Sequence, residues 1–216
     1  SKILFKYLIS IILISIISLL LIAQPDIGQT LLVVFCWAVL IFTSGINIYI
    51  LLAIFIAGAS LLTYLIKYVP RFDYIQGRIF SFFNRETGTH NFQSDKAIES
   101  ITSGGFFGKG IGEGVLKNRV PEAHTDYIIS VISEEFGVVA IMLILLLFLI
   151  LIYIVFKKIS FETNDKAKLI LIGSISLILM QATIHIGVNI RLFPTTGMTL
   201  PFLSYGLSLI HISEPT

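Results

Sequence analysis

The chain has 216 residues, of which 56% are hydrophobic and only 13% charged, and its mean hydropathy is +0.93. A soluble domain is typically about 45–50% apolar and about 25% charged, so too little polar surface remains here to face water. The net charge of +2, with no basic stripe interleaved with aromatics, argues against a nucleic-acid partner, and the single Cys36 excludes a disulfide framework or a CxxC metal pair.

Crossing a bilayer takes roughly 20 apolar residues in a helix, with a range of about 17–25. Five segments meet or approach this: 7–23, 30–44, 48–66, 136–156 and 169–188. Each is expected to be helical, because backbone amides in lipid must be satisfied within their own segment. The second is short and follows the polar turn Gln24–Gln29. The chain enters the first segment directly from Ser1, with no small-residue cleavage site. It therefore reads as a span rather than a signal peptide, in a chain expected to be a fragment lacking its earlier portion.

Lys and Arg beside short loops orient the spans. Lys2 and Lys6 precede the first span, and Lys157, Lys158, Lys166 and Lys168 crowd the connector between the fourth and fifth. Four spans separate the two clusters, so both fall on one side, expected to be cytoplasmic. The Asp26 turn and the segment 67–126 then face outward. A connection of about 60 residues is long for a span connector and marks a place for function. It mixes Gly, aromatic and charged residues, and no internal repeat occurs. The expected fold is an all-α polytopic membrane protein with five transmembrane helices and a long extracytoplasmic loop.

Within that loop, Ser103–Gly114 is Gly-rich but lacks the GK[ST] of a Walker loop. Its glycines suit either an anion-binding nest of backbone amides, with Lys109 adding charge, or a tight turn. Arg71, Arg78, Lys96, Lys117 and Arg119 form a scattered basic set, either solvated surface or cations for a pyrophosphate head group. The run Val120-Pro121-Glu122-Ala123-His124-Thr125-Asp126-Tyr127 meets the fourth span. Thr125 or Asp126 there suits a helix cap. Equally, Asp126 suits a general base at the membrane surface, with His124 and Glu122 as neighbours. Glu134 and Glu135 at the edge of the apolar run read as a solvated shoulder or as the lining of a polar cavity. Gln181, His185 and Asn189 recur every fourth residue and share one face of the fifth span. They suit either interhelical hydrogen bonds or a substrate groove. No histidine sits at a recognised zinc spacing.

Taken together these motifs resemble one family. Ser103–Gly114, Pro121-Glu122-Ala123-His124-Thr125-Asp126-Tyr127-Ile128 and Glu134-Glu135-Phe136-Gly137 resemble signatures of the SEDS proteins (shape, elongation, division and sporulation), which comprise FtsW, RodA and SpoVE. Gln24-Pro25-Asp26-Ile27-Gly28 and Pro194–Gly206 resemble two more, in the same order along the chain. Gly197-Met198-Thr199-Leu200-Pro201 and Asp95-Lys96-Ala97-Ile98 are closer to the division branch than to the elongation branch. Three features depart from the pattern. Thr196 stands where many division members carry Lys, His185 stands where Asn is common, and the Gln-Pro-Ser-Glu signature of an earlier span is absent. After Gly206 the expected Gly-Ser-Ser is replaced by residues 207–216, which read as a non-native, adapter-like tail, leaving 1–206 as a partial SEDS transmembrane domain.

The resemblance implies a fold of about ten transmembrane helices, of which this chain covers the later part, set in the bacterial inner membrane. It implies a peptidoglycan glycosyltransferase that polymerises lipid II during septal wall synthesis, working with a class B penicillin-binding transpeptidase and other divisome proteins. The alternatives are an elongation-type polymerase, a lipid II flippase, and a scaffold that holds and activates the transpeptidase with Asp126 merely a cap. Asp126 matches the family's essential carboxylate. Lys96, Lys109, Arg78, His124, Glu122, Gln181 and Asn189 are the expected substrate-binding residues. No resident metal is expected; a divalent cation (Mg or Mn) is an optional cofactor for the leaving pyrophosphate. The fragment alone is expected to be inactive.

Overall fold

The computed structural model describes residues 2–24, 26–83, 89–119 and 123–204. Glu122, Pro121, Pro25 and the tail 207–216 lie outside the described residues, as do the side chains of Lys2, Lys6, Arg71 and Lys117. Among the described residues the regular structure is helical: α1 (Lys2–Ala23), α2 (Ile27–Thr43), α3 (Ile48–Tyr68), α4 (Asp73–Phe83), α5 (Thr89–Gly104), the single turn α6 (Leu116–Arg119), α7 (Ile128–Phe161) and α8 (Asp165–Asn189). Helices therefore lie over all five apolar segments. On length and composition, α3, α7 and α8 suffice to cross a membrane, whereas the apolar stretches Tyr7–Ala23 and Ile27–Thr43 are shorter. The α2 helix has 17 residues, the lower bound of a crossing.

The long connection differs from a loop, because α4 and α5 occupy much of it. The fourth helix also starts earlier than its apolar run, at Ile128 rather than near residue 136. Its first two turns carry Ser130, Ser133 and Glu134, which are polar yet buried. A hydropathy reading skips such turns, since it has no means of counting buried polar groups as helix.

The chain divides into two compact units. The first comprises Ser1–Phe80 with Val155–Met180. Here Asp26 caps α2, its Oδ1 accepting from Gln29 N at 2.9 Å, and Asn47 caps α3 through Tyr49 N at 2.9 Å. The sharp reversal between α2 and α3 uses Gly45 at φ 92°, a left-handed conformation that a side chain resists. Ala38, Ile41 and Leu51 form its apolar core, with Tyr7, Trp37 and Ile46 against them. Trp37 Nε1 donates to Ser10 Oγ at 2.7 Å, joining α2 to α1, and Tyr74 OH donates to the carbonyl of Ile22 at 3.0 Å. Such polar ties matter in lipid, where the hydrophobic effect does not drive helices together.

The second unit comprises Ser81–Ile154 with Gln181–Thr216. Its core of Ile129, Ile144, Ala182 and Leu200 joins α7, α8 and the segment after α8. The α8 helix ends in a Schellman-type turn: Arg191 N donates to Val188 O at 3.0 Å and Leu192 N to Gly187 O at 2.7 Å. Arg191 holds the left-handed position at φ 57°, where glycine is usual. Its guanidinium pairs with Asp95 of α5.

Candidate active site at the start of α7

Asp126 sits two residues before α7, half-buried, between buried Tyr127 and the half-buried Thr125. Its backbone is held from two directions. Asn189 Nδ2 donates to the Asp126 carbonyl at 2.9 Å, and Ser204 Oγ donates to the Thr125 carbonyl at 2.8 Å. Asn189 Oδ1 in turn accepts from Ser130 Oγ at 2.7 Å and from Ser130 N at 3.3 Å. Ser130 N also donates to the Tyr127 carbonyl at 3.0 Å, so the Asn189 amide gives this helix-start N–H a second acceptor and ties α8 to the first turn of α7. Asn189 is fully buried, and these three contacts fix its orientation.

The next polar residues on the same face of α8 hold the returning segment. His185 Nδ1 lies 2.8 Å from the Met198 carbonyl, and Gln181 Nε2 donates to the Thr199 carbonyl at 3.0 Å. A carbonyl only accepts, so His185 carries its proton on Nδ1, and Nε2 is left to accept from Asn189 Nδ2 at 3.3 Å. Segment 198–204 is thereby laid beside Asp126. Gly197, at φ +70°, brings its Cα so close that a Cβ there would lie 3.7 Å from Asp126 Oδ2. Of the two readings of the α8 stripe, hydrogen bonding between elements describes its observed contacts.

The Gly-rich loop answers a different structural need. Gly137 breaks α7 with φ 76° and ψ −175°. A break there removes the ladder bonds from Val138 and Val139 to the carbonyls of Glu134 and Glu135. The loop replaces each lost partner: Lys109 N donates to Glu134 O at 2.9 Å and Gly110 N to Glu135 O at 3.1 Å. Conversely, Val138 N donates to Gly105 O at 3.0 Å and Val139 N to Phe106 O at 3.3 Å. This approach excludes side chains, since a Cβ on Gly104, Gly108 or Gly137 would fall 2.0–2.2 Å from a backbone oxygen. The anion-nest reading is corrected accordingly: the amides of Lys109 and Gly110 already face helix carbonyls.

Glu134 is buried rather than a solvated shoulder. Its Oε1 accepts from Lys109 Nζ at 2.8 Å, and its Oε2 accepts from the amides of Val115 and Leu116 at 3.1 and 3.0 Å. A buried carboxylate so compensated fixes the loop and α6 to α7.

The remaining expected site residues are distributed unevenly. Lys96 pairs on the surface with exposed Glu99, a hydrogen bond that holds the Glu99 carboxyl below the usual carboxylate range. His124 is exposed close to Asp126 in sequence. Arg78 belongs to the first unit, where its guanidinium lies 6.0 Å from the Tyr74 ring centre. Ser130 did not stand out in the sequence, and Met198, Thr199 and Ser204 stood out only as parts of a family signature, with no contact assigned to them. The available signal was polar residues at positions that an apolar helix should have filled. Among the described residues no group of three or more His, Cys, Asp or Glu side chains is placed to cage a metal ion.

Comparison with known proteins agrees with this architecture. A family model described as "Cell cycle protein" (FtsW, RodA and SpoVE) matches residues 2–213. The chain is 36% identical over 189 residues to a probable peptidoglycan glycosyltransferase FtsW of Caulobacter vibrioides, covering 87% of this chain and 47% of that protein. It is 34% identical over 214 residues to the protein of the same name from Enterococcus hirae, covering 93% of this chain and 54% of that protein. A solved chain, from a study of the structural coordination of polymerization and crosslinking by a peptidoglycan synthase complex, superposes with a TM-score of 0.75 at 26% identity. That match covers 94% of this chain and 57% of the solved one. The chain thus spans about half the length of the curated relatives it matches. On the family match, and with three helices among the described residues long and apolar enough to cross a bilayer, the chain belongs to the FtsW/RodA/SpoVE family of multi-pass membrane proteins.

Proposed function

We propose that the whole protein carrying this chain is a peptidoglycan glycosyltransferase that polymerises lipid II, with Asp126 as its general base. The observation that carries this reading is the double hold on the Asp126 backbone, by Asn189 on one side and by Ser204 through Thr125 on the other. A base must be held near its productive geometry to be effective. The names of the relatives, which describe a peptidoglycan glycosyltransferase, support the reaction class.

In this mechanism the 4-hydroxyl of one lipid-linked sugar attacks the anomeric carbon of another. Asp126 removes the hydroxyl proton as the new C–O bond forms, and the bond to the lipid pyrophosphate breaks. A positioned base contributes typically about 10²–10⁴-fold. A single displacement inverts the anomeric carbon and needs no covalent enzyme intermediate. Undecaprenyl pyrophosphate departs as an anion and requires a cation rather than a proton. In the Asp126 unit, Lys96 suits this role better than Lys109: its partner Glu99 is exposed, whereas Lys109 neutralises a buried carboxylate. Gln181 and Asn189 act as positioning residues, and His124 and Glu122 remain candidates for sugar contact. Arg78 is a further candidate cation.

The cellular setting follows the same reading: bacterial inner membrane, residues 67–126 outside, a class B penicillin-binding transpeptidase as partner, and a role in division. The test is a glycan-strand assay with the full-length protein, its transpeptidase and labelled lipid II, comparing wild type with Asp126→Asn. Polymer from wild type and none from a folded Asn variant is the expected result. Lipid II crossing vesicles with no polymer from either protein would replace the polymerase by a flippase.

A further inference from the structure

The loop that repairs the break in α7 also projects an apolar tip. Phe106, Phe107 and Ile111 are 74%, 84% and 81% exposed, among the most exposed large apolar side chains described in the second unit. Large contiguous apolar exposure marks an interaction surface. Three observations point to what covers it.

First, the tip's position along α7 is fixed. Gly105 and Phe106 are hydrogen-bonded through their carbonyls to Val138 and Val139, the first turn of the uninterrupted apolar run of α7. Val139, Met142 and Leu143 in that turn and the next are themselves exposed. The tip therefore lies beside the helix where its apolar surface begins, which for a spanning helix is the boundary between head groups and acyl chains.

Second, the tip carries no uncompensated charge. Lys109 is its ionisable residue between Gly104 and Gly112, and it is paired with Glu134. Third, three of its amides and three of its carbonyls already find partners within the protein. Gly108 N donates to Gly104 O at 2.8 Å, Lys109 N and Gly110 N donate to α7, and Gly110 O accepts from Glu113 N at 3.2 Å. Irregular backbone is tolerated at membrane depth only when its polar groups find partners within the protein. A water-exposed loop has no such requirement.

We propose that loop 105–112 is an interfacial membrane anchor, with Phe106, Phe107 and Ile111 seated among the lipid acyl chains just below the head groups. Aromatic side chains favour this depth. The anchor would tie the start of α7, and with it the Asp126 backbone, to a constant level relative to the bilayer. The proposal does not rest on the glycosyltransferase reading.

The test uses the full-length protein in phosphatidylglycerol/phosphatidylethanolamine vesicles without any partner protein. A polarity-sensitive fluorophore is attached to Phe107→Cys or Ile111→Cys in a Cys36→Ser background, and to Glu99→Cys on exposed α5 as the aqueous reference. The labelled protein without these additional cysteines gives the background. At 107 and 111 the expected result is blue-shifted emission, quenching by lipids with a nitroxide near the head group, and loss of the iodide quenching seen at 99. Iodide quenching at 107 equal to that at 99 would overturn the proposal. Protection from both quenchers would also overturn it, by placing the tip inside protein.

Discussion

The start of α7, beside Asp126, is held by side chains of α8 and the segment after it, whereas the break inside α7 at Gly137 is held by the backbone of the loop that follows α5. At the first, the Asn189 amide and the Ser204 hydroxyl reach carbonyls and a helix-start amide. At the second, four backbone bonds replace two that a helix break removed, and glycines permit the approach. The two devices fail in opposite ways. A side-chain hold is undone by removing atoms, and a backbone dock by adding them.

The largest expected effect is at the dock. Gly137→Ala must abandon φ 76° or drive its methyl into Phe106 O, 2.2 Å from the Cβ position. A cost of at least about 4 kcal/mol is expected, in the range where substitutions are diagnostic. SDS titration of the full-length protein in mixed micelles would measure it, and a loss below about 1 kcal/mol would mean that the dock is not tight. Next comes Lys109→Met, which strands the buried Glu134 carboxylate at a cost of about 3 kcal/mol. Adding Glu134→Gln to that variant should recover part of the loss, because the charge goes while an acceptor for Val115 and Leu116 stays.

The hold on Asp126 should be weaker in stability and stronger in its effect on activity. Asn189→Ala leaves Ser130 Oγ and the Asp126 carbonyl without this partner, worth about 2 kcal/mol. Its polymerisation rate should fall further than its stability accounts for, with Asn189→Asp restoring less activity than stability, because Asp keeps the acceptor for Ser130 but loses the donor to Asp126. The smallest effect is expected at Arg191→Gly. Relief of the left-handed residue and loss of the Asp95 pair should cancel to within about 1 kcal/mol in the same titration.

The sequence made some of this legible and hid the rest for identifiable reasons. The apolar segments were legible because lipid dictates composition directly, and helices lie over each of them. The early start of α7 was not, since Ser130, Ser133 and Glu134 look like loop until their partners are known. Gly137 inside an apolar run is equally compatible with an intact helix, so the break and the need it creates at Gly104–Gly110 could not be foreseen. The shared face of Gln181, His185 and Asn189 followed from their spacing, but spacing has no information about which carbonyl each would meet. Asp126 was readable as a candidate, and what holds its backbone comes from residues more than 60 positions away.

The most direct test of the account separates chemistry from binding at Asp126. Lipid II affinity and the rate of the first glycosidic bond would be measured in parallel for the full-length wild type and Asp126→Asn, in single turnover with saturating substrate. If Asp126 is the general base, affinity stays unchanged and the bond-forming rate falls by about 10²–10⁴-fold. Weakened affinity with an unchanged rate for bound substrate would contradict it, and would make the Asp126 carboxylate a substrate ligand rather than the base.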